Sequence, residues 1–208
     1  MKKKIFIIGI GGLTGSKLVE IAKKDFEIFG SYNYRDPKSA IQKNTKLDIS
    51  NSTKIKEILE EIKPDVVINT AGINNVDYCE KNPDLALKIN IQAVKEICQI
   101  TKKLGIKFVQ LSSDSVFDGT KQLPYEEIDE TESINYYGKT KIESEKIVLE
   151  NPNNVVVRAS VLYGYLPHNL AKIESSSKKS INFGQWLINK LSINEKVRII
   201  TDEYSSPI

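Results

Sequence analysis

The sequence has only two cysteines, Cys79 and Cys98, and a single histidine, His168, among its 208 residues. With no Cys-x-x-Cys pair, this rules out a recognisable zinc pattern and a disulfide framework, so no metal is expected. Thiols this sparse suit a reducing compartment, and the expected location is the cytoplasm. Long apolar runs are also missing. No stretch nears the roughly 20 residues of a membrane span. Ile5-Phe6-Ile7-Ile8 behind Lys2-Lys3-Lys4 resembles a signal peptide, but it runs straight into a glycine turn with no cleavage pattern. Charge of one sign is lacking too. The 30 basic and 27 acidic residues leave a net charge of +3, dispersed along the chain. A nucleic-acid binder would gather its positive charge into a patch. Neither a nucleic-acid nor a membrane partner is expected.

What is present is an alternation. Short β-rich apolar runs at 4–8, 28–32, 66–69, 108–112 and 155–158 read as strands, and a short piece at 46–49 reads as another. Helical spacing fills 13–24, 52–62, 83–104 and 135–150. Ser52 is placed to cap its helix, Pro64 to stop it, and Gly105 to close the helix ending at Leu104. Strands alternating with helices build right-handed βαβ units, hence an α/β fold with a doubly wound parallel sheet of Rossmann type. Ligands of such sheets bind at the carboxyl ends of the strands, which directs attention to the residues after each strand. The polar stretch 167–180 reads as a mobile loop.

After the first strand comes Gly9-Ile10-Gly11-Gly12-Leu13-Thr14-Gly15. The first of three glycines spaced by three allows a tight turn, and the second lets the backbone approach a pyrophosphate. The third lets helix and strand pack closely, while the helix N-terminus faces the phosphates. A glycine triplet alone is a weak signal, but the strand–turn–helix setting is the required context. Beyond the second strand, Arg35 precedes Asp36. A guanidinium there suits a 2′-phosphate, so NADP is favoured over NAD.

Tyr137 and Lys141 lie four apart on one helix face, where an ammonium would lower the phenol's pKa towards neutrality. Tyr34 and Lys38 share the spacing, but Pro37 between them argues against a helix. Ser112 and Ser113 end the strand before Tyr137, placed to polarise a carbonyl. Alone these are turn serines; with Tyr137 and Lys141 they form a catalytic constellation.

On these motifs, with Leu47-Asp48-Ile49, Asn69-Thr70-Ala71, Val76-Asp77, Ile89-Asn90 and Val157-Arg158-Ala159-Ser160, the sequence resembles the extended short-chain dehydrogenase/reductase family. Within it, the likeness is greatest to the dTDP-4-dehydrorhamnose reductases. The resemblance implies cofactor contacts from Gly9, Gly12, Leu13, Gly15, Asp48, Ile49, Ala71, Ser112, Tyr137 and Lys141. It implies Tyr137 as the acid, Lys141 as its partner and ribose anchor, and Ser113 as the carbonyl-polarising hydroxyl. Asp114 and Ser115 would meet the sugar. The implied reaction is hydride transfer to the 4-keto group of a nucleotide-linked 6-deoxysugar. Ser115 and Val161 stand where the family often has aromatic residues, so the sugar pocket departs from the pattern. The division implied is a dinucleotide-binding domain over 1–160 and the start of a substrate-binding region over 161–208. The run Asp202–Ile208 matches a loop that precedes further helices in the family, so that region reads as truncated. Two other functions share these motifs: a nucleotide-sugar epimerase or dehydratase, and an NADP-binding regulatory subunit like that of methionine adenosyltransferase. A homodimer is compatible with all three.

Overall fold

The computed structural model describes residues 2–39, 41–164 and 183–198. The expected loop at 167–180, His168 and the run 202–208 lie outside them. Six strands form one parallel sheet: β1 (Lys4–Ile8), β2 (Glu27–Tyr32), β3 (Lys43–Lys46), β4 (Val66–Asn69), β5 (Lys107–Ser113) and β6 (Val155–Ala159). Their order is β3-β2-β1-β4-β5-β6. The chain therefore reverses direction across the sheet between β1 and β4, and a crevice opens at their carboxyl ends. The expected Rossmann-type sheet is what forms.

The helices are α1 (Leu13–Ala22), α2 (Ser52–Ile62), α3 (Val76–Lys81), α4 (Pro83–Leu87), α5 (Ala93–Leu104), α6 (Tyr136–Leu149) and α7 (Phe183–Ser192). Ile5, Ile7, Ile10 and Ile28 pack with Val19 of α1 on one side of the sheet. Phe6, Val67 and Phe108 pack on the other side with Ile55 and Leu59 of α2, Ile97 of α5 and Val148 of α6. Burial on both faces accounts for the nearly continuous apolar strands.

Several expectations need correction. β3 ends at Lys46, where the strand was expected to begin. Leu47 and Ile49 instead leave the sheet for the core, and Asp48 turns back to accept from the Ser50 backbone N–H at 2.8 Å. Asn51 caps α2, accepting from the Lys54 N–H, and Ser52 is the first helical residue. The long helix expected over 83–104 is split: Lys88–Gln92 is a π-helical turn between α4 and α5. α3 and α7 were not anticipated. Gly105 does close α5, with φ +67°.

Candidate active site

The crevice begins at the glycine turn. Gly9 has φ +95°, which side chains rarely adopt. A Cβ on Gly15 would strike the Gly9 carbonyl, so the two glycines permit one tight knot between β1 and α1. Gly12 is the N-cap of α1. It offers no side-chain cap, and the first turn carries no acid, so the helix's leading amides stay available for an anion. Gly11, which the glycine spacing did not single out, lies against Arg35: a Cβ there would overlap the Arg35 carbonyl.

Beside this turn lies a cleft of about 290 Å³, lined among others by Gly9, Tyr32, Asn33, Asp48, Ile49, Ala71, Tyr78 and Ile89. Gly9, Asp48, Ile49 and Ala71 thus meet in one cleft. Arg35 and Leu13 are not part of its wall. Arg35 is buried behind the glycine turn, and burial lowers its pKa from the usual arginine value. Leu13 begins α1, and its side chain lies where a Cβ on Gly164 would touch it. An uncapped helix N-terminus, a knotted glycine turn and an adjoining aromatic cleft fit the pyrophosphate and adenosine of a dinucleotide.

The second half of the site is at the carboxyl ends of β5 and β6. Ser113 Oγ donates to Asp114 Oδ1 at 3.0 Å and accepts from the Ser115 N–H at 3.2 Å. Ser160, at the end of β6, donates to Asp114 Oδ2 at 2.7 Å. Asp114 therefore gathers two hydroxyls, one from the last residue of β5 and one from the residue after β6. Ser112 does not join them. Strand alternation turns it to the opposite face, where its buried hydroxyl has no hydrogen-bond partner.

Tyr137 reaches this cluster from the first turn of α6. Asn135 caps that helix, accepting from the Gly138 N–H at 2.8 Å. Glycine at 138 is a steric requirement, because a Cβ would overlap the Ser115 carbonyl and the Ser133 hydroxyl. The phenol is 9% exposed, packed with Ile73, Cys79 and Ala86. Burial pushes its pKa up to about 12, while Ser113 pulls it partly back. The lowering expected from Lys141 is not found. Lys141 Nζ instead donates to the Leu111 carbonyl at 2.7 Å, and burial draws its pKa down to about 8. The phenol so placed is a protonated group, ready to act as an acid.

Three buried residues that the motifs did not assign to the site hold α6 in place. Asn90, in the π-helical turn, accepts from the Ile73 N–H at 2.9 Å and donates to Thr140 Oγ1 at 3.1 Å. Thr140 in turn donates to the Tyr137 carbonyl. Glu145, four residues beyond Lys141, forms a salt bridge at 2.7 Å with Arg158 of β6. Asn90 and Arg158 stood within recognised segments, but only tertiary contacts reveal what they do.

The chain is 31% identical over 204 residues to the probable low-salt glycan biosynthesis reductase Agl14 of Haloferax volcanii, covering 97% of this chain and 65% of that protein. It is 31% identical over 197 residues to methionine adenosyltransferase 2 subunit beta of Bos taurus, covering 88% and 56%. A crystal structure of dTDP-4-dehydrorhamnose reductase from Bacillus anthracis in complex with NADP superposes with a TM-score of 0.77 at 29% identity, covering 95% of this chain and 62% of that one. The chain thus spans between just over half and just under two thirds of these proteins. Residues 2–208 match the RmlD substrate binding domain family, and the chain belongs to that family.

Proposed function

We propose that the chain is the cofactor-binding and catalytic portion of an NADPH-dependent reductase acting on the 4-keto group of a nucleotide-linked 6-deoxysugar. The observation that carries this reading is the buried Tyr137 set beside Ser113 at the carboxyl end of β5, one strand over from the dinucleotide crevice. When bound, the cofactor supplies a hydride to the carbonyl carbon. Ser113 holds the carbonyl oxygen, Tyr137 delivers a proton to it as charge develops, and Lys141 anchors the nicotinamide ribose. Asp114 and Ser115 meet the sugar. Gly9, Gly12, Leu13 and Gly15 carry the pyrophosphate, and Asp48, Ile49 and Ala71 the adenosine half. NADPH is the preferred cofactor, with NADH as the weaker alternative. Residues 1–160 form the dinucleotide-binding domain and 161–208 begin the substrate-binding region. Among the described residues no helix is long and apolar enough to cross a membrane.

NADPH oxidation with a panel of 4-keto nucleotide sugars tests this, run on the wild type and Tyr137→Phe. The wild type should oxidise NADPH with at least one sugar, faster than NADH, and the Phe variant should lose on the order of 100-fold in rate. The likeness to methionine adenosyltransferase 2 subunit beta favours a second reading, a regulatory NADP-binding subunit. NADPH binding with no turnover of any sugar would decide for it.

A further inference from the structure

Three consecutive residues of α3 perform three separate tasks. Tyr78 lines the cleft beside the glycine turn. Cys79, fully buried, packs in the same apolar cluster as the Tyr137 ring. The Glu80 carboxylate accepts from the Tyr136 backbone N–H at 2.7 Å, across 56 residues of sequence. That amide belongs to the first turn of α6, the residue before Tyr137. α6 has no acid of its own in that turn, although a negative charge there is favoured by both the unpaired amides and the helix dipole. α3 supplies it from outside.

We propose that Glu80 is a positioning residue for Tyr137: it clasps the N-terminus of α6 to α3, so that the wall of the cleft and the phenol move as one body. Asn135 alone would satisfy one amide of the turn, but it lies on the same segment as α6 and cannot tie that helix to α3. Loss of the Glu80 contact frees the first turn of α6 to lift off Cys79 and Ile73. Water then reaches the ring, whose burial is the main cause of its raised pKa. Glu80 is itself exposed, so its replacement opens no cavity. The link to the cleft rests on the cofactor reading above; the clasp on Tyr137 does not.

The test follows the Tyr137 phenol directly, by NMR of the ligand-free chain labelled with 13C at tyrosine Cζ, its resonance identified from Tyr137→Phe. Between about pH 9 and 10.5 an ordinary tyrosine begins to ionise. Tyr137 should stay silent there in the wild type. It should titrate in Glu80→Ala and return to silence in Glu80→Gln, which keeps an acceptor oxygen. A silent Tyr137 in the Ala variant overturns the proposal, as does a Gln variant that titrates like Ala. A Glu80→Ala chain that does not fold at 25 °C also overturns it, because Glu80 would then serve overall stability. A parallel NADPH titration on the wild type, read by cofactor fluorescence, keeps the two readings apart. If no NADPH binds, the cofactor reading fails, and the ligand-free result still judges the clasp.

Discussion

Lys141 offers a quantity that can be worked through. The residue is 7% exposed, and burial brings its pKa from 10.5 to about 8. At about 1.4 kcal/mol per pKa unit, keeping that charge inside at pH 7 costs the fold about 3 kcal/mol. Lys141→Met keeps an unbranched side chain of similar length and removes the charge. It also removes the hydrogen bond to the Leu111 carbonyl, worth about 1 kcal/mol. That carbonyl keeps a second donor, the Gln110 amide at 2.9 Å. The expected outcome is a protein about 2 kcal/mol more stable than wild type at pH 7, read by urea unfolding, and, under the proposed function, one that no longer oxidises NADPH.

The pH dependence fixes the sign. The folded-state pKa lies below the unfolded one, so between about 8 and 10.5 the unfolded chain binds the extra proton and stability rises with pH. Below about 8 the cost is paid in full, and above 10.5 it is gone. Cys98 and Tyr137, both pushed up to about 12, act in the opposite direction at alkaline pH. They are shared by both proteins and cancel in the difference. The advantage of the Met variant should therefore shrink steadily from pH 8 to 10.5. An advantage that is absent at pH 7, or that does not change with pH, would refute the reasoning.

Two further outcomes follow from contacts around α6. Gly138→Ala forces a methyl group onto the Ser115 carbonyl. It should cost about 1–3 kcal/mol in urea unfolding and on the order of 100-fold in the rate of NADPH oxidation under the proposed function. Glu145→Gln leaves the Arg158 guanidinium without its charged partner in a pair whose glutamate is 5% exposed. A loss of about 3–5 kcal/mol is expected by the same unfolding assay, and without the Glu145 charge the pKa of Lys141 should fall further below about 8.

The sheet was legible because its strands are buried on both faces and so read as apolar runs, and the glycine turn because backbone conformation restricts which residues can stand there. β3 was misplaced because Leu47 and Ile49 are apolar for the core rather than for the sheet. α3 escaped notice since six residues hold less than two turns and show no period. Tyr137, Lys141 and Ser113 were legible as a set, yet the direction of the Tyr137 pKa was not. Spacing places an ammonium near a phenol but says nothing of the Leu111 carbonyl that claims it. Ser160 and Glu80 act only through partners distant in sequence, 46 and 56 residues away. Arg35 was visible as a charge, while its burial behind Gly11 was not.

The π-helical turn at Lys88–Gln92 also bears on how this segment can vary. It is where α5 takes its rotational phase from α4. One residue fewer would restore a regular helix and turn everything downstream by about 100°. Val94, Ile97 and Ile100 would then swing away from the sheet, and Asn90 would lose its hold on Ile73. Length in this stretch is therefore more constrained than identity. Single substitutions here can be absorbed one contact at a time, whereas a one-residue gap must be answered by the whole of α5 at once.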